Sequence, residues 1–275
     1  MPMSLPSATV LGFLLLSVPA LAGDIYTFSI QHDDDSDITQ GKVFLDGRKY
    51  RLERKPDPKS TNPYRTMISK DGGAHELALN SEDHTFYEPK ASARTSFLLR
   101  LLPIGNASVT NVTLDTVEAL EPETVSGVAA KRHEIKLSYD ISVEIPPPDS
   151  LSRLGKGQSE IIHGKVKVDA VYWLAAGTTP ALPALLRPAI HTGFPEIDPK
   201  LEGAIAALQG VPVKQQVTFS TEGDRGTTPL TSTRIVLLQS HKTQATKASA
   251  FEVPTGFKMH EPEFSRPGLG PVPPG

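Results

Sequence analysis

The residues best suited to chemistry are His32, Asp33, Asp34, Asp35 and Asp37, one imidazole and four carboxylates in a short run. Hard oxygen ligands of this kind suit Ca²⁺ or Mg²⁺, but the run lacks the glycine and distal glutamate of an EF-hand loop. A solvated turn between two strands explains it more simply, and no metal site is assigned. The other histidines are His75, His84, His133, His163, His191, His241 and His260, and none recurs three or four residues from another. The chain has no G-x-S-x-G, no H-E-x-x-H, no Walker loop and no dinucleotide glycine fingerprint. A catalytic histidine needs a nucleophile and an orienting acid brought together by the fold. With no motif for either, the expectation is a protein that is not an enzyme and carries no cofactor.

The elements that would position any site read mostly as strands. Ile135, Leu137, Tyr139, Ile141, Val143 and Ile145 alternate with Lys136, Ser138, Asp140, Ser142 and Glu144. A period of two marks a strand with one dry and one wet face. Val166, Val168, Ala170, Tyr172 and Leu174 repeat the pattern, as do Val213, Val217 and Phe219, and Tyr26, Phe28 and Ile30. Asp46-Gly47 is a hairpin signal between Val43–Leu45 and the basic stretch from Arg48. Further strands are expected over 64–69, 75–79, 84–87, 109–117 and 231–239. Trp173 beside Tyr172 reads as sheet packing. Short turns between consecutive strands predict an antiparallel meander, whose dry face must be covered.

The cover is expected from residues 179–209. Asp198 reads as an N-cap with Pro199 at the first helical position, Leu201, Ile205 and Leu208 form one apolar stripe, and Gly210 follows as a C-cap candidate. Leu182, Leu185, Leu186 and Ile190 suggest a shorter helical piece limited by Pro183 and Pro188. A third helix is expected over Arg94–Leu102. Pro146–Gly157 and residues 260–275 read as a Pro/Gly-rich loop and a disordered tail.

Composition sets the compartment and excludes some partners. Val10–Val18 is an apolar run, followed by Pro19 and the small-x-small triplet Ala20-Leu21-Ala22. This is the pattern of a secretory signal peptide over 1–22, and the run is too short for a bilayer crossing of roughly 20 residues. There is no Cys, which excludes disulfides, thiolate sites and a lipid anchor on cysteine. An exported chain without disulfides points to a bacterial periplasm. The formal net charge is −3, which argues against nucleic acid as the partner.

Several stretches carry a resemblance in order along the chain. They are Gly41–Glu53 with its basic second strand, Met67–Gly73 followed by Thr85-Phe86-Tyr87, Ala170–Ala175, Gly210-Val211-Pro212, and the closing Phe251-Glu252-Val253-Pro254-Thr255-Gly256-Phe257. Together they resemble a family of periplasmic proteins related to the outer-membrane lipoprotein carriers, with the LolA/LolB-like fold. The resemblance implies one mainly β (α+β) domain over 23–259, a curved antiparallel sheet or incomplete β-barrel with a short helical lid. In the carriers, the hollow holds the acyl chains of a lipoprotein. The Pro-rich loop and the long 179–209 insertion depart from the carriers.

On this reading Tyr26, Phe28, Leu52, Ile135, Leu137, Tyr139, Val168, Tyr172 and Phe219 would line a concave face. Leu185, Leu201, Ile205 and Leu208 would form its lid. The same side chains would equally make a dry core, since alternation does not distinguish a filled interior from a hollow one. Burying a chain of about fourteen methylenes would release on the order of 10 kcal/mol before ordering costs. Apolar lining alone would then hold a lipid without a polar motif. The expected function is a periplasmic carrier or sensor for lipid or another apolar ligand, not spanning the membrane. The alternative is a cell-envelope interaction module whose partner is a protein.

Overall fold

The computed structural model describes residues 22–33, 38–56, 62–89, 107–119, 121–145, 159–177, 180, 182–183, 185–223 and 229–260. The expected signal segment before Ala22, Asp34, Asp35 and Asp37, the expected helix at Arg94–Leu102, the Pro146–Gly157 loop and the tail beyond His260 lie outside them.

The described strands all join one sheet. The first six are β1 (Ala22–His32), β2 (Ile38–Asp46), β3 (Lys49–Arg54), β4 (Tyr64–Ser69), β5 (Leu77–Asn80) and β6 (Thr85–Tyr87). The rest are β7 (Ala107–Glu118), β8 (Glu123–Val125), β9 (Val128–Ile145), β10 (Glu160–Ala175), β11 (Val211–Gly223), β12 (Leu230–Ala245) and β13 (Lys258–Met259). Their order is β13-β6-β5-β4-β3-β2-β1-β12-β11-β10-β9-β7, with β8 on β9. The sheet is curved and unclosed and mostly antiparallel, with one α-helix among the described residues; among the described strand pairs, only the short β13–β6 pair is parallel. The mainly β class expected from the alternation, and the curved, unclosed sheet implied by the resemblance, are therefore the observed ones. No helix among the described residues is long and apolar enough to cross a membrane.

The chain lays down one wing of the sheet from β1 to β6, then starts again at the far edge and returns to pair β12 with β1. Alternation sets which side chains face inward. Ile135, Leu137 and Tyr139 of β9, and Val166, Val168, Ala170, Tyr172 and Leu174 of β10, are all buried together. Tyr26, Phe28 and Ile30 of β1 join Val43, Leu45, Tyr50 and Leu52 in a second cluster.

The other face is not wet throughout, as a simple alternating strand would leave it. Trp173 packs there with Ala130, Ala175 and Val213, and its Nε1 donates to Glu123 Oε2 at 2.8 Å. Ile68, Leu79 and Phe251 form another buried group, with Phe44, Phe86 and Phe257 against it. Phe251 ends a 3-10 turn (Ala248–Phe251). The Phe251-to-Phe257 stretch thus caps the outer face of β2–β6. Gly256 takes a left-handed φ of +93° at its turn, which favours glycine.

The β2–β3 turn is shifted by one residue from the Asp46-Gly47 signal. Asp46 pairs with Lys49, so the loop is Gly47-Arg48, with Gly47 at φ +59°. Arg48 is held from below, since its carbonyl accepts from Gly72 N at 2.8 Å and its Nη2 donates to the Asp71 carbonyl at 2.8 Å.

The cover between β10 and β11 is mostly irregular. Among the described residues of 182–190 the expected helical piece does not appear; Leu186 N and Arg187 N both donate to the Pro183 carbonyl in a turn. Two prolines so close together leave too few donors for a helix. The helix α1 (Asp198–Ala206) forms, but Ile197 occupies the cap position without a side-chain cap. Asp198 instead turns its carboxylate back to Thr192 N and Thr192 Oγ1, both at 2.7 Å, and to Gly193 N at 3.0 Å. The expected N-cap is in fact a loop clamp. Ala207, not Gly210, caps the other end.

Candidate functional site

The thirteen side chains expected to line or cover a hollow fall into two packed groups. Tyr26, Phe28 and Leu52 are buried beneath Leu182 and Leu186, with Leu185 packed alongside. Ile135, Leu137, Tyr139, Val168 and Tyr172 are buried against Phe194, Ile197 and Leu201. Ile205, Leu208 and Phe219 sit at the margin of that second group, only partly buried. Phe28, Leu52 and Tyr172 have no exposed surface at all. Most of the concave face is therefore filled by the cover, and the interior is not one open hollow.

Space remains at the end of the cover. A cleft of about 540 Å³ opens between residues 189–192 and strands β10, β11 and β12. Its lining is Val168, Ala189, Ile190, His191, Thr192, Val217, Phe219, Leu230, Ser232 and Arg234, with His32 and Asp33 from the end of β1. The volume lies within the range of small-molecule pockets, about 300–1,000 Å³. Of the expected residues, only Val168 and Phe219 line it. Register explains the grouping. Val168 pairs with Phe219 and Phe219 with Ser232, while Ala170 pairs with Val217, Val217 with Arg234, and Arg234 with His32. Two adjacent rows of inward side chains thus make the wall.

A smaller cleft of about 350 Å³ lies past the helix C-terminus. It is lined by Leu174, Leu182, Arg187, Ile205, Leu208 and Pro212, among others. Two expected lid residues, Ile205 and Leu208, therefore border open space of their own.

Two polar side chains tie the cover to the sheet. Gln215, buried on β11, donates to the Leu186 carbonyl. Arg234 on β12 donates through Nη2 to the Leu185 carbonyl. Desolvation weakens the charged form of Arg234, pulling its pKa down. Among the described residues no carboxylate pairs with it. Asp33 also lines the cleft, but its Oδ1 accepts from Thr233 N at 2.6 Å and its Oδ2 from Ser232 Oγ at 3.2 Å. His32 is held below the usual imidazole range, first by desolvation and then by the Arg234 charge. Burial pushes the Tyr139 phenol up to about 12, with the Asp198 charge adding to it. The Tyr172 phenol is raised by burial as well, and its oxygen has no hydrogen-bond partner among the described residues.

Sequence reasoning missed Val217, Ile190, Leu230 and Arg234 as lining residues. One signal was there to be read. Ser232, Arg234, Val236 and Leu238 share one face of β12, so Arg234 is a cation in an inward register.

Other groups with chemical potential are less well placed. Ser142 Oγ lies 2.8 Å from His163 Nδ1 on an exposed surface. No carboxylate among the described residues orients that ring, so the pair lacks the third member of a nucleophile triad. No cluster of three metal-ligating side chains occurs among the described residues. Neither a protein-family model nor a curated protein matches the chain. The functional reading therefore stands on the geometry of the cleft.

Proposed function

We propose that this is an exported, non-catalytic binding protein that holds a small apolar molecule in the cleft beneath residues 189–192. The single observation behind this reading is the open space of about 540 Å³ left in an otherwise filled concave face. Its walls are Val168, Ile190, Val217, Phe219 and Leu230, side chains that gain free energy when hydrocarbon displaces water. A cleft between a sheet and a tethered cover is also a common place for a ligand. The signal-like segment at Val10–Ala22 and the absence of cysteine support a bacterial periplasm as the compartment. Carrier and sensor roles both follow from such a site, since each needs only reversible uptake.

The test is direct. Protein purified from its native compartment is extracted with organic solvent and the extract analysed by mass spectrometry, and uptake of a fluorescent fatty acid by the delipidated protein is measured. A defined co-purified lipid, or saturable uptake at one site, supports the reading. An empty extract together with no uptake removes it.

A further inference from the structure

Arg234 has a feature that tethering the cover does not explain. Gln215, on the neighbouring strand, makes the same kind of bond to the adjacent carbonyl, Leu186, with no charge at all. A neutral side chain is therefore sufficient to hold the cover down. Arg234 instead brings a cation to a wall shared with Val168, Val217 and Phe219, where desolvation disfavours it. A guanidinium has five N–H donors in a fixed fork. One Nη is used on Leu185, and no other partner is found for Arg234 among the described residues. Ser232 and His32 sit beside it on the same wall, on the register row below and on β1. Asp33 supplies an opposing charge at the end of β1, but it is engaged by Thr233 N and Ser232 Oγ rather than by the arginine.

We infer that the cleft takes an anionic, single-chain amphiphile, with its headgroup on Arg234 and its hydrocarbon chain along Val168, Val217 and Phe219. This deepens the binding role proposed above and rests on it. An anion offers the guanidinium the paired, charge-assisted hydrogen bonds that this fork is shaped to make. Carboxylate and phosphate headgroups share that chemistry. The cleft volume suits one such molecule rather than a multiply acylated anchor.

The experiment compares ligands of equal chain length by isothermal titration with the delipidated full chain: dodecanoate, dodecyl phosphate, dodecanol and dodecyltrimethylammonium. At least one anion should bind about tenfold or more tightly than dodecanol, the scale of a hydrogen bond to a charged group. Which anion wins separates a carboxylate source from a phosphate one. Arg234→Met should shrink the anion-to-alcohol ratio to below about threefold, whereas Arg234→Lys should keep part of it. If dodecanol matches both anions, or the cationic amphiphile binds best, the headgroup assignment falls while the apolar site stands. If none of the four binds, both fall. Should Arg234→Met not fold, the wild-type ranking of the headgroups decides.

Discussion

Residues 182–187 and residues 189–192 belong to one covering segment and meet the same sheet in opposite ways. Under the first stretch the sheet presents Tyr26, Phe28, Tyr50 and Leu52, and Leu182 and Leu186 drop into the space until they are 1% and 0% exposed. Under the second it presents Val168, Val217 and Ser232, and the cover answers with Ala189, Ile190 and Thr192. Both tethers, from Gln215 and Arg234, hold the backbone at Leu186 and Leu185, within the first stretch. The first stretch is held down and filled, while the second borders open space. Interiors normally pack to crystal-like density, so open space of this size beside a packed core is an exception in the fold.

Truncation breaks the comparison most sharply. Leu186→Ala removes a fully buried side chain from the filled half and should cost about 2–5 kcal/mol in urea unfolding. Val217→Ala removes atoms that already border open space, and should cost about 1 kcal/mol or less. Equal losses would mean that the cleft is not open in solution. Next in size is Gln215→Ala. Losing the donor to the buried Leu186 carbonyl should cost roughly 1–3 kcal/mol. Amide exchange should then accelerate over 182–192 before it changes in β9 and β10. Uniform acceleration across the sheet would show that the cover is not an independently opening unit.

A filling substitution tests the other half. Val217→Phe should occupy part of the cleft, changing stability by only about 1 kcal/mol because there is room for the ring. Fluorescent fatty-acid uptake should fall about tenfold or more, as expected when several methylenes lose their place. A large destabilisation with uptake intact would put the ligand elsewhere, with the smaller cleft by Arg187 and Ile205 the next place to look.

The frame of this molecule was legible in the sequence, and its vacancy was not. Odd-numbered apolar residues in β9 and even-numbered ones in β10 announced both strands and their inward faces, because a period of two has one structural meaning. The boundaries moved by a residue or more where turns depend on local bonds, as at Gly47-Arg48. The cover was harder. Asp198-Pro199 has the composition of a helix start, but its carboxylate found three donors in the 192–193 loop, and a tertiary clamp won over a local cap. Leu182 to Ile190 looked helical in its spacing, and Pro183 and Pro188 prevented it. The outer face of β2–β5 is covered by Phe251, which returns from near the far end of the chain, and nothing local in those strands signals that cover. For the site, nine residues were proposed for the wall and only Val168 and Phe219 reach the cleft. Inward register locates a face, but whether a face is filled depends on the volume of what lies across from it. That information is in the irregular cover, which has no period to read.

Two histidines carry the same comparison into pH dependence, where the effects are smallest. His75, in the β4–β5 connection of the filled wing, has its Nδ1 2.6 Å from Asp71 Oδ2. That bond, followed by the Asp71 charge, raises its pKa above 6.5. The stability it contributes is present in full below 6.5 and is lost as pH rises through the folded-state value. His32, beside the cleft, is shifted the other way by desolvation and by Arg234. Below 6.5 the unfolded chain takes up its proton first, so stability falls as pH drops toward the folded-state value of His32. Histidine-detected NMR titration should place the midpoint of His75 above 6.5 and that of His32 below it. Asp71→Asn should return His75 toward 6.5. Arg234→Met should move His32 only part of the way, since desolvation is the larger cause. An anionic headgroup seated on Arg234 adds negative charge close to His32, so saturating dodecanoate should raise its midpoint while dodecanol leaves it low. A His32 midpoint at or above 6.5 in the empty protein would mean that water reaches this wall as freely as it reaches the exposed loop at His75.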